Sequence, residues 1–73
     1  MPETEVWPGP PRLVLRWVKG ERVELDAVDE KSRPAKLLWP KPGEAYDDIG
    51  AKHVYESVRG EYEKRRQFEL KTT

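Results

Sequence analysis

The chain has 73 residues, with 14 basic and 14 acidic side chains, one His, no Cys and 36% apolar content. A chain of that size buries only about 60% of the surface its unfolded form exposes, which leaves room for one core and excludes a second domain. Without cysteine there is neither a disulfide framework nor a thiolate zinc site, and a neutral charge with seven basic and seven acidic groups in each half is no polyanion clamp.

Residues 1–11 carry Pro2, Pro8, Pro10 and Pro11 together with Glu3 and Glu5. Proline lacks the backbone donor and favours polyproline II geometry, so this stretch reads as a proline-rich arm outside any ladder, with residues 12–73 as the single small domain. Trp7 sits in the middle of the arm, able either to tuck onto its own domain or to anchor a partner. The acidic residues and the missing apolar stretch argue against a secretory leader. The longest apolar runs, Leu13–Leu15 and Leu37–Trp39, fall far short of the roughly 20 residues that span a bilayer. The expectation is a soluble, cytoplasmic chain with no membrane partner.

Residues 12–28 give the strongest local pattern. Leu13, Leu15 and Trp17 alternate with Val14, Arg16 and Val18, and beyond Gly20 the residues Val23, Leu25 and Ala27 alternate with Glu24, Asp26 and Val28. This predicts a β-hairpin. Keeping both apolar sets on one face requires a loop of odd length. The loop Val18-Lys19-Gly20, with Gly20 left-handed in a G1 bulge, sets Leu15 against Val23 and Leu13 against Leu25. The other face then carries Arg16, Arg22, Glu24 and Asp26 among Val14, Val18 and Val28. Ala35–Trp39, stopped by Pro40 and Pro42, reads as a short edge strand.

Residues 41–50 form a loop rich in Pro, Gly and Asp, and residues 51–71 support two conflicting readings. Ala51, Val54, Tyr55, Val58 and Tyr62 fall at helical spacing, Asp47 or Asp48 can cap the start, and Glu61 with Arg65 is a favourable helical pair. Gly50, Gly60 and two β-branched valines favour instead a strand over 53–59, pairing with a strand over 67–71 in which Phe68 and Leu70 alternate with polar neighbours. The fold class is mainly β: a small antiparallel sheet or open barrel of four to five short strands, with one helix near 51–66 as the α+β alternative. No internal repeat of supersecondary size is present.

The inventory for catalysis is thin. His53 and Ser57 share a helical face only if that segment is helical, and Asp47, Asp48 and His53 match no closed metal motif, so no catalytic residue, metal or cofactor is expected. There is no phosphate-binding glycine loop. Single-stranded nucleic-acid binding is the alternative function, with Arg16, Lys19 and Arg22 offering charge and Trp39 a stacking ring on a sheet platform. Interleaved acidic residues oppose it. The leading expectation is a non-enzymatic protein-interaction module, an accessory or structural subunit of a larger assembly or of a self-associate. Three Trp, three Tyr and one Phe are many large side chains for so small a core. Trp7, Pro8 and Pro10 together with Val14, Val18 and Val28 are the candidate partner-binding residues.

Overall fold

The placement of the prolines decides where strands can run. The computed structural model describes residues 2–72, and side chains as far as Glu69. Among these, four strands, β1 (Glu3–Trp7), β2 (Leu13–Val18), β3 (Arg22–Ala27) and β4 (Lys36–Trp39), are followed by one helix, α1 (Asp48–Thr72). The strands pair antiparallel in chain order, an open four-stranded meander.

β1 corrects the expectation that residues 1–11 stay outside the ladder. Its five residues, Glu-Thr-Glu-Val-Trp, contain no proline; Pro2 and Pro8 bracket them. Pro2 stands just ahead of the strand, where its carbonyl accepts the amide of Trp17 at 3.0 Å. An outer strand tolerates prolines at its ends.

The hairpin of β2 and β3 forms with the predicted faces and an odd loop, but the register is two residues away from the expected one. Leu15 lies opposite Leu25, Leu13 opposite Ala27, and Val18 opposite Arg22. The loop is therefore Lys19-Gly20-Glu21, closed by the Glu21 amide on the Val18 carbonyl at 2.9 Å. Gly20 takes the expected left-handed conformation, φ of 85°, at the second central position of that turn, where a type II turn calls for glycine. β4 forms within the expected 35–39 segment as an edge strand, with an extra residue at Leu38 where its register against β3 shifts.

α1 settles the conflict over the second half of the chain in favour of helical periodicity. It replaces both expected strands, 53–59 and 67–71. Asp47 is the cap: its carboxylate accepts the Ile49 amide at 3.3 Å and its carbonyl the Ala51 amide at 2.9 Å. Ala51, Val54, Tyr55, Val58 and Tyr62 then face the sheet, and this packing outweighs the cost of two valines and two glycines in a helix.

The core lies between α1 and one face of the sheet. Leu15 and Val23 are fully buried, with Val6, Ala51 and Tyr55 around them and Trp17 and Trp39 packed at the side. Trp17 leans on Tyr55 with ring centroids 5.9 Å apart, and Trp39 on Tyr46 at 5.5 Å. Tyr46 also accepts the Trp17 indole N–H at 3.0 Å and donates to Asp48 at 2.7 Å, tying the sheet to the start of the helix.

The two layers differ in length. Strands of six residues run about 20 Å, whereas 25 helical residues run about 37 Å, so the sheet cannot cover the whole helix. Every described side chain from Glu63 onward is exposed. The radius of gyration, 13.0 Å, exceeds the roughly 11 Å of a compact chain this long. This helix is strongly polar, and no helix of the described residues is long and apolar enough to cross a membrane.

Candidate interaction groove

An apolar opening forms where β1 ends, β2 begins and α1 leaves the sheet. β1 reaches it through an extra residue: Glu5 pairs with Val14 and Trp7 with Leu13, so Val6 is inserted between them. Such a bulge re-aims side chains. Val6 enters the core, and the Trp7 ring meets Tyr62 of α1 edge-on, 6.2 Å between centroids at 62°. Gly9, at φ of 93°, turns the chain back toward β2; a methyl group there would stand 2.7 Å from the Arg12 amide nitrogen. That amide is held by the Asp29 carboxylate at 2.8 Å, which fixes the start of β2.

Trp7, Pro11 and Leu13 form one wall of the groove and Tyr62 with Phe68 the other, around a volume of about 710 Å³. Phe68 is 68% exposed, a large ring presented to solvent. Lys64, Arg65 and Glu69 supply the polar rim, and the Arg65 guanidinium lies over the Tyr62 ring at 5.3 Å. Leu13 also lines a neighbouring depression of about 320 Å³ with Leu25, Ala27 and Pro34, rimmed by Arg33 and Lys36. This is the corner of the inner sheet face that lies beside the helix.

The outer face of the sheet is held together by ion pairs. Arg16 donates to Glu3 at 2.9 Å and to Glu24 at 2.8 Å and lies 3.5 Å from Asp26, linking three strands. Arg22 bonds Glu24 and reaches Glu21 at 3.0 Å. Hydrogen bonds from Arg22 first, and then from Arg16, hold the Glu24 carboxyl below its ordinary range against the opposing effect of burial. The same bonds raise both guanidiniums, Arg16 chiefly through Glu3 and Arg22 through Glu24.

The sequence-predicted partner residues are divided between these surfaces. Trp7 is half-buried in the groove wall, and Pro8 and Pro10 are exposed on the turn beside it. Val14, Val18 and Val28 lie on the outer face, half-buried, opposite Asp26, Arg22 and Arg12. The nucleic-acid set is not brought together either. Arg16 and Arg22 are engaged by carboxylates on the outer face, Lys19 is at the hairpin tip, and Trp39 is on the helix side against Tyr46. His53 and Ser57 are exposed on α1, while Asp47 and Asp48 serve the cap and Tyr46. Among the described residues no group of three His, Asp or Glu side chains is placed to hold a metal ion.

Phe68 and its relation to Tyr62 and Arg65 were hidden by the strand reading of 67–71. Continued past Tyr62, the helical period puts Arg65 in line with the stripe and Phe68 on its flank, but the apolar repeat itself ends at Tyr62 and does not mark them. No family model, curated protein or solved structure matches this chain, so the functional reading rests on the geometry of these surfaces.

Proposed function

We propose that this chain is a small non-enzymatic protein-interaction module, an accessory subunit of a larger assembly, that seats an acidic segment with apolar anchors in the groove between Trp7, Leu13 and Phe68. The observation that carries this reading is the exposed Phe68 on a helix that outruns its sheet. An aromatic side chain beside a preformed apolar wall is the kind of anchor that dominates binding energy. Charge selects the occupant: Lys64 and Arg65 rim the groove, and Lys36 with Arg33, itself paired with Glu30 at 3.3 Å, rims the depression that shares Leu13, with Glu69 the sole acidic lining residue among those described. The outer face, where the valines lie, already satisfies its charges internally and has less to offer.

Single-stranded nucleic acid fits the same groove less well. Stacking needs free ring faces, and Tyr62 has Arg65 over its face and the Trp7 ring against it.

The test titrates the protein with an amphipathic peptide bearing Glu and Leu at helical spacing, its Lys counterpart and a single-stranded oligonucleotide, following backbone amide shifts. The acidic peptide is expected to saturate and to move Trp7, Leu13 and Phe68. Phe68→Ala should weaken it at least about tenfold, or 1.4 kcal/mol, and Lys64→Glu with Arg65→Glu should reverse the preference between peptides. Equal binding of the two peptides, no binding, or oligonucleotide binding that decays steeply with salt would overturn the proposal.

A further inference from the structure

The second unpartnered surface is the outer edge of β1, on the other side of α1 from the groove. Trp17 and Pro2 form a hydrogen-bonded position of the β1–β2 ladder, and such positions recur every second residue. Thr4 and Leu15 are the next. Glu3 and Glu5, opposite Arg16 and Val14, therefore direct their N–H and C=O groups away from β2, toward the open edge.

A channel of about 340 Å³ runs along this edge, with Thr4, Glu5 and Val6 on one side and Arg59, Glu63 and Arg66 of α1 on the other. Arg59 and Arg66 are two helical turns apart, about 10 Å along the axis, a spacing bracketed by residues two and four apart on an extended strand. Neither guanidinium forms an ion pair with a described residue. On the opposite side of the same edge the carboxylates of Glu3 and Glu5 are already engaged, by Arg16 at 2.9 Å and Arg12 at 3.6 Å.

We propose that the free edge of β1 docks an extended segment of a partner protein by strand addition, with alternate acidic side chains toward Arg59 and Arg66. Backbone bonds to Glu3 and Glu5 supply the affinity, and Arg59 and Arg66 the selectivity. A second copy of this chain is a poor occupant, because antiparallel β1–β1 pairing sets the Glu3 and Glu5 side chains of one copy beside those of the other. This surface is separate from the groove that seats an apolar anchor.

The probe is a ten-residue peptide alternating Lys and Glu, compared with a block peptide of five Lys followed by five Glu. Amide hydrogen exchange at Glu3 and Glu5 should slow at least tenfold with the alternating peptide and stay unchanged with the block peptide. N-methylation of the Glu5 amide in synthetic protein, which removes an outward donor the fold does not use, should abolish the effect. Where that change disturbs β1, Arg59→Glu with Arg66→Glu decides instead, and must abolish it as well. Phe68→Ala should leave it intact. No slowing, equal slowing by the block peptide, retention in the charge-reversed protein, loss in Phe68→Ala, or concentration-dependent protection without peptide would each overturn the proposal, the last in favour of self-pairing.

Discussion

Gly50 and Gly60 both lie within α1 and respond oppositely to an added methyl group. At Gly50 a Cβ would stand 2.5 Å from Cζ2 and 2.9 Å from Cη2 of Trp39, whose ring packs against the first turn of the helix. At Gly60 nothing lies within 4 Å. Gly60→Ala should therefore stabilise the fold by about 0.5–1 kcal/mol through helix propensity and a less flexible unfolded chain. Gly50→Ala gains less from propensity than it loses by overpacking Trp39, for a net destabilisation of about 1–2 kcal/mol. Urea unfolding of the two variants measures both. A Gly60→Ala protein less stable than its parent would place residue 60 in a turn and break the helix in two.

Among elements, the cross-strand charges on the outer face make stability depend on pH in a definite direction. The Glu24 carboxyl is held low by Arg22 and then Arg16, so the unfolded chain takes up its proton first as pH falls. The contribution is complete above the ordinary glutamate range near 4.3 and is lost as pH drops below it toward the folded value. Glu24→Gln should lower stability at neutral pH and flatten the acid-side slope, so that the two proteins converge at low pH; parallel curves would show that Glu24 contributes no linkage. These charges also bear on what was legible in the sequence. Strict alternation over 13–18 and 22–27 identified the hairpin and its buried face, because one face of a half-covered sheet must be apolar. The pairing offset was not legible, since registers that differ by two residues preserve every face and only the turn tells them apart. β1 was obscured by the proline density of residues 1–11 as a whole, when what matters is that residues 3–7 themselves contain none. In α1 the valines and glycines argued locally for a strand, and the apolar stripe from Ala51 to Tyr62 prevailed because it had a sheet to pack against. Beyond Tyr62 the stripe ends and the helix persists, so no apolar period marked Phe68 as part of the groove.

For the whole molecule, the groove joins a structural residue to a surface one, and this separates two substitutions that look alike in sequence. A domain of this length has a total stability of about 4–11 kcal/mol. Trp7 is half-buried, closes β1 against Tyr62 and lies next to Val6 in the core, so Trp7→Ala loosens the contact between an outer strand and the helix. The expected cost is about 1–3 kcal/mol, which in a domain this small lowers Tm by about 6–20 °C. Phe68 projects from the overhanging part of α1 and supports nothing in the core. Phe68→Ala should stay within about 0.5 kcal/mol of the parent, as surface changes do. Thermal unfolding followed by circular dichroism compares them directly. With that separation, loss of peptide binding in Phe68→Ala reports on recognition, whereas loss in Trp7→Ala mixes recognition with the fraction of folded protein. Equal Tm losses in the two variants would mean that Phe68 packs as tightly as Trp7, which contradicts its exposure and removes the groove as an open surface.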